Sequence, residues 1–438
     1  MLQPSSQPYR VTHAAVSDVG MRRATNQDSI VAVVDAAGSE RDRGHFFMVA
    51  DGMGAHAAGE LASKMAVDNV SHHYRKQRDA SAPAALRFAV QEANGLIFEK
   101  GQSSPEFHGM GTTCSCLVLL PGTAMVAHIG DSRVYRVRGS TLEQLTFDHS
   151  LVWEMAAASH VSADKVPACI PKNVITRSLG PHETVNIDLE GPAAVDAGDV
   201  FVLCSDGLSG VVDDAVIGAL AAALEPTEAA ETLIDLANLR GGPDNISVII
   251  ARVEEPDTPD EPAEEQPTGG LGRVHALAWM AMVACLAAVF AFGAYQNGLG
   301  ALLAAAGFGA SLVIAIIQHS TPAAVALPAT LGGPYGNGPY RRYDCKQGAA
   351  AAATLMAVVD ELADIDGDPL PNDLPDKGAA QPRAADGLDW APFHEQRAAA
   401  KSARDRGDHA ASLRSSSDAI RTLMRQVRAQ QSEGAAGR

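Results

Sequence analysis

The sequence predicts an α+β protein whose centre is a β-sandwich of two mainly antiparallel sheets flanked by helices. Three observations carry that expectation. Strand-like apolar runs outnumber helical patterns over roughly the first 253 of the 438 residues. Several runs follow one another through hairpin-length gaps such as "PGT" and "IGDS". Helical patterns separate only some of the runs, which favours sheet stacked on sheet over a doubly wound parallel sheet.

In chain order the strand-like runs are "YRVTHAAV", "SIVAVV", "HFFMVA", "TCSCLVLL", "AMVAHI", "RVYRVR", "DVFVLC" and "NISVIIARV". Each is short, rich in β-branched or aromatic residues, and bounded by Gly, Asp, Asn or Pro. Between the third and fourth lies "PAALRFAVQEANGLIFEK", where Leu86, Ala89, Val90, Ala93, Leu96 and Ile97 form one apolar stripe at helical spacing. Residues 1–253 therefore read as one domain.

Beyond it the composition changes. Residues 254–273, with "EEPDTPDEPAEEQPTGG", form an acidic, Pro-rich linker that has too little apolar surface to pack. Residues 274–317 hold two apolar runs, Val274–Tyr295 and Leu299–Ile317, joined by "QNG" and free of Asp, Glu, Lys and Arg. Each is long enough to cross a hydrocarbon layer of about 30 Å, so the expectation is a transmembrane helical hairpin with two spans. Arg273 before it and Arg341 and Arg342 after it are the nearby cations, which places both flanks on the inner side. The predicted location is the inner membrane, with the first domain and the C-terminal tail in the cytoplasm. Residues 318–343 read as an extended linker. Residues 344–438 read as a small helical tail, one helix marked by Leu355, Val359 and Leu362, then a tetratricopeptide-like pair broken at "RGD". One such pair is too few to make a repeat array, so it is expected to dock a protein partner.

The net charge of −18 argues against a nucleic-acid partner, which would demand a basic face. Six scattered cysteines without a CxxC pair argue against zinc and disulfides.

Chemistry concentrates in aspartates at strand ends. Asp51 closes the apolar run "HFFMVA", Asp28 precedes "SIVAVV", Asp131 follows "AMVAHI" in "HIGDSR", Asp206 follows "DVFVLC" and Asp244 precedes "NISVII". One such residue is usually a turn cap. Five carboxylates at shared strand ends would repel one another unless cations sat among them, and hard oxygen donors in that number suit Mg²⁺ or Mn²⁺. A competing reading takes Gly52, Gly54 and Ala57 as a dinucleotide-binding turn. It needs an acidic residue ending a second strand about twenty positions on, whereas "DNVSHHYRKQRD" reads as the end of a helix.

The motifs "SDVGMRRATNQDS", "VADGMGAHAAGE", "GMGTT", "HIGDSRVYRV", "LTFDHS", "NVITRSLG", "LCSDGL" and "GGPDNISV" occur in that order over residues 10–253. This resembles the bacterial metal-dependent type 2C (PPM) serine/threonine protein phosphatases, and the whole arrangement resembles their membrane-tethered members. The resemblance implies a helix-flanked β-sandwich, in agreement with the strand count. It implies that Asp51 bridges two Mn²⁺ or Mg²⁺ ions, with the Gly52 carbonyl as a further ligand. Asp28, Asp206 and Asp244 would complete that site, and Asp131 would hold a third, weaker ion shared with Asp206. Arg23 matches the phosphate-binding arginine and His56 a histidine proposed as the acid that protonates the leaving alkoxide. Leu151 to Lys172 matches a flap beside the active site.

The expected function is hydrolysis of phosphoserine and phosphothreonine on proteins by a metal-activated water, antagonising serine/threonine kinases at the membrane. The alternative is a catalytically inactive phosphatase-fold adaptor that works through its tail. Its signature would be missing metal carboxylates, and all five are present.

Overall fold

The computed structural model describes residues 10–34, 43–54, 57–161, 165–167, 169–171, 174–254, 334–345, 348–367 and 388–436, with a few isolated helical positions between 287 and 308. Apart from those isolated positions, they all belong to one compact unit made of residues 7–256 and 327–438.

Twelve strands are described. One sheet runs β1 (Arg10–Asp18), β11 (Ile246–Glu254), β10 (Val200–Cys204), β7 (Arg133–Arg138), β8 (Thr141–Gln144), β12 (Arg341–Asp344). The other runs β2 (Asp28–Val33), β3 (His45–Met53), β5 (Cys114–Leu120), β6 (Thr123–Ile129), β9 (Asp188–Ala194), with the short β4 (Gly111–Thr112) paired to β3. Every pairing is antiparallel. Both sheets are buried on two faces, so their central strands are apolar throughout and the two-residue period decides which core each side chain joins. In β3, Phe47 and Val49 enter the core between the sheets, while Phe46, Met48 and Ala50 face the opposite way. In β10, Phe201 and Leu203 point between the sheets and Val200, Val202 and Cys204 point outward.

Helices α1 (Ala58–Lys76) and α2 (Ala82–Gln102) cover the outer face of the second sheet. Leu86, Ala89, Val90, Ala93 and Ile97 are buried there as expected, but Leu96 is 37 % exposed and falls off the stripe. After the short α3 (Leu151–Ala158) and the single turn α4 (Asp206–Ser209), helices α5 (Asp214–Ala223) and α6 (Pro226–Leu239) cover the first sheet.

The sequence reading set residues 344–438 apart as a tail. In the structure β12 extends the first sheet by pairing with β8, Arg341 opposite Gln144 and Asp344 opposite Thr141. Of the helices that follow, α7 (Gly348–Gly367) packs on α5, α9 (His409–Ala436) packs on α5 and α6, and α8 (Ala391–Asp405) packs on α7 and α9. Leu355, Met356, Val359, Phe393, Leu413, Ile420 and Leu423 share one buried cluster with Leu220, Leu233 and Val248. The expected α8–α9 pair with its break at Arg406–Asp408 is present, Gly407 taking a positive φ of 79° at the break. Its apolar side is occupied by the chain's own core, which a count of heptads or repeats in the tail alone could not reveal.

Among the described residues no helix is long and apolar enough to cross a membrane, so the expected transmembrane hairpin finds no support in the structure. The linker 254–273 beyond Glu254, nearly all of 274–317, and residues 318–333 lie outside the described residues. Among the described residues the five cysteines are free.

Candidate metal centre

The antiparallel register of β2 and β3 sets Asp28 directly opposite Asp51. Strand β3 is held at that point by its neighbours: the Asp51 amide donates to Thr113 Oγ1 at 2.8 Å, and the Asp51 carbonyl accepts from the Thr113 amide and the Thr112 hydroxyl, each at 2.9 Å. Gly52 donates its amide to the Gln27 carbonyl at 3.1 Å. A side chain at Gly52 would meet the Gly59 carbonyl oxygen at 2.1 Å, so only glycine lets α1 start this close to the carboxylate.

Asp131 lies in the turn from β6 to β7, where Ser132 Oγ bonds Thr113 Oγ1 at 2.8 Å and ties that turn to β3. Asp206 opens α4 directly after β10, and Asp244 precedes β11. Asn245, which sequence reasoning passed over, fixes the last of these. Its amide donates to the Val19 and Thr25 carbonyls at 2.9 Å, and its Oδ1 accepts from the Gln27 amide at 2.9 Å. The loop that carries Arg23 is thereby pinned beside Asp244. The local signal was the Asn after Asp in "PDN", but only the fold shows what it clasps.

Electrostatics tie the five aspartates together. Burial pushes the Asp51 carboxyl well up, and Asp28, Asp206, Asp131 and Asp244 each push it further. Burial raises Asp28 to about 7, and Asp206 and Asp244 reinforce it. Asp131 rises to about 8, through burial and then through Asp206 and Asp148. Asp206 is raised by burial and by Asp244, against a hydrogen bond with Asp51. Both Asp28 carboxylate oxygens, Asp131 Oδ1 and Asp206 Oδ1 are buried with no hydrogen-bond partner. Buried carboxylate oxygens left bare in one another's field are costly, and a divalent cation among them would remove both penalties. The donor set is all oxygen, which fits Mg²⁺ or Mn²⁺ and not a thiolate- or imidazole-seeking ion. Among the described residues no three Asp, Glu, His or Cys side chains are closed tightly enough to hold one ion as they stand. The case for cations thus rests on the repulsion and the bare oxygens.

Arg23 stands at the rim, half-exposed, its Nη2 donating to Asp244 Oδ2 at 2.7 Å. That hydrogen bond, with the pull of Asp51 and Asp206, raises its pKa. Arg22 is exposed beside it. His56 lies outside the described residues.

A second polar layer, unforeseen from the sequence, supports the Asp131 turn. His149 exchanges two hydrogen bonds with Gly130, amide to carbonyl at 2.7 Å and Gly130 amide to Nδ1 at 2.9 Å, and its Nε2 meets Asp188 at 2.9 Å. His128 lies fully buried against it at 4.8 Å between ring centroids, and bonds Ser115 and the Phe147 carbonyl. Burial, and then His149, lowers His128 to about 3. Arg133 grips Asp148 through Nε and Nη2. In sequence these residues fall mainly in two separate motifs, "HIGDSRVYRV" and "LTFDHS"; the β6–β7 turn and the β8–α3 connection bring them together.

The family model for protein phosphatase 2C matches residues 21–238. A putative protein phosphatase 2C-type of Streptococcus pyogenes is 35 % identical over 246 residues, which is 55 % of this chain and 97 % of that one. The crystal structure of the serine/threonine phosphatase PstP/Ppp of Mycobacterium tuberculosis is 34 % identical, with a TM-score of 0.50, and covers 56 % of this chain and 99 % of its own. The serine/threonine phosphatase of S. agalactiae is 33 % identical with a TM-score of 0.51, over 56 % of this chain and all of its own.

Proposed function

Because this chain belongs to the protein phosphatase 2C family, and is a protein serine/threonine phosphatase by that membership, we propose that it hydrolyses phosphoserine and phosphothreonine on proteins at the cluster Asp28, Asp51, Asp131, Asp206 and Asp244. The observation that carries this reading is the set of buried carboxylate oxygens without partners, held against one another at the strand ends.

In this reading Asp51, the Gly52 carbonyl, Asp28, Asp206 and Asp244 hold two divalent ions, Mn²⁺ or Mg²⁺, and Asp131 with Asp206 holds a third. Such ions, when bound, neutralise the carboxylates and supply an activated water as nucleophile. The residues of the chain do the rest. Thr112, Thr113 and Ser132 fix the Asp51 and Asp131 backbones, so that only side chains have to close on the ions. Arg23 presents a planar fork to the phosphate, where a lysine would present a point charge. In the free protein that fork rests on Asp244, and an incoming phosphate competes for it with the carboxylate. His56 is retained as the proton donor to the leaving alkoxide.

Kinases of the serine/threonine type are the proposed antagonists. Membrane attachment through 274–317 rests on the apolar length of Val274–Tyr295 and Leu299–Ile317. It is compatible with residues on either side of the runs, up to 256 and from 327, belonging to one compact unit, since an even number of spans returns both flanks to one side.

The test uses the full-length chain, because the helices after residue 344 complete its core. Phosphopeptide hydrolysis should require Mn²⁺ or Mg²⁺ and vanish in Asp51→Asn. Activity in excess chelator, or full activity in the variant, refutes the site. No turnover with any divalent ion would favour the inactive adaptor. A reporter fused to the C-terminus should read the cytoplasmic side, and a signal from outside excludes the hairpin.

A further inference from the structure

We propose that residues 334–345, which rejoin the domain after the apolar runs, form a strap in cis that positions α3 for protein substrates, with Arg341 as the positioning residue. The proposal rests on the phosphatase reading and deepens it.

The strap joins the free edges of both sheets. On the second sheet, Tyr335 pairs with Gly191 of β9 through both backbone groups, and Glu190 accepts from the Gly338 amide at 3.1 Å and the Tyr340 hydroxyl at 2.5 Å. On the first, the Tyr340 amide donates to the Gln144 carbonyl at 2.8 Å, where β12 begins. An edge strand and a bridge between edges fix this segment's backbone independently of its side chains.

Two of those side chains reach the connection into α3. Tyr340 meets Phe147 edge-on at 5.5 Å between centroids, and Phe147 meets Trp153 of α3 edge-on at 5.2 Å. The Arg341 guanidinium lies 4.2 Å from the centre of the Trp153 ring. Trp153 is 8 % exposed, so this cation–π contact is largely shielded from water. The same connection holds His149, which is bonded to Gly130 beside Asp131. The ring of Phe147 thus links the strap both to Trp153 of α3 and to His149 beside the Asp131 turn.

The outward side of α3 and its neighbour explains what such positioning would serve. Met155, Val161 and Val174 are exposed apolar residues, and Val174 is tied to the start of α3 by the Leu151 amide at 2.9 Å. They offer a peptide, but not a small aryl phosphate, something to rest on. Loss of the Arg341–Trp153 contact should release α3 and weaken peptide binding while leaving the carboxylates untouched.

The experiment compares the full-length parent with Arg341→Ala, Arg341→Lys and Trp153→Leu on a phosphopeptide and on p-nitrophenyl phosphate in saturating Mn²⁺. In Arg341→Ala the phosphopeptide KM should rise about two- to thirtyfold, the range of one cation–π contact. Its kcat, and both constants for p-nitrophenyl phosphate, should stay within twofold. Arg341→Lys should recover most of the loss. Trp153→Leu, which also removes the ring's contacts with Phe147 and Arg133, should lose at least as much as Arg341→Ala, and adding Arg341→Ala to it should cost nothing further. A parallel fall on both substrates, or no change on the phosphopeptide, overturns the proposal. If the parent hydrolyses neither substrate, it is the phosphatase reading that fails.

Discussion

Phe393→Ala is the perturbation that asks whether the C-terminal helices and the catalytic sheets fold as one. Phe393 is fully buried in α8, within the cluster that also contains Leu220 of α5, Leu233 of α6 and Val248 of β11. Removing its ring should cost about 3–5 kcal/mol, the sum of lost transfer energy and a residual cavity. A unit of this size has a urea slope of about 3 kcal/mol per molar or more, so the midpoint should fall by about 1 M. The assay is residual Mn²⁺-dependent phosphatase activity across a urea series, read beside the fluorescence of Trp390, whose ring stands edge-on to Phe393. If sheets and helices are one cooperative unit, both curves shift together. A fluorescence transition that moves while the activity midpoint stays would refute the shared core and make α7–α9 a separate unit of local unfolding.

Three further outcomes follow from the same geometry. Asp51→Asn should lower metal-dependent activity at least about a hundredfold, or about 2.7 kcal/mol in the barrier, yet raise the melting temperature in chelator by about 2 °C or more, because it removes one of several mutually repelling buried charges; a lower melting temperature in chelator contradicts the electrostatic account. Gly52→Ala should sharply reduce activity, since its Cβ would sit 2.1 Å from the Gly59 oxygen and must drive β3 and α1 apart; wild-type turnover would show that the close approach is dispensable. His128 should make the fold acid-sensitive. Its pKa falls from 6.5 unfolded to about 3 folded, so between those values the unfolded chain binds the extra proton and stability drops as pH falls. Well below pH 6.5 the drop approaches about 1.4 kcal/mol per pH unit, and chemical denaturation of His128→Gln between pH 6 and 4 should show a slope shallower by nearly that amount.

Much of the catalytic unit was legible in the chain. The strands with the strongest apolar runs, β3, β5, β6, β10 and β11, were readable because they are buried on both faces. Those that went unseen, β4, β8, β9 and β12, are short or weakly apolar, and pair only because the fold brings a neighbour's edge to them: β9 reads "DLEGPAA" and β12 "RRYD". The five aspartates stood out because a carboxylate abutting an apolar strand is costly. Their supports did not stand out. Asn245, Thr113, Ser132 and His149 are ordinary polar residues in sequence, and acquire a role only from the loops they clasp.

The strand-rich class and the acids that end its strands are readable from the chain alone, because burial period and the cost of a bare charge are written residue by residue. The tertiary structure decided which distant segments share a core. Arg341 lies 197 residues beyond its strand partner Gln144, and that pairing exists only because β8 exposes its edge to a returning chain. A tail helix with one apolar face can be covered by a foreign partner or by its own domain, and its periodicity is the same in both cases. Here α5 and α6 offered the complementary face, and the helices closed on it.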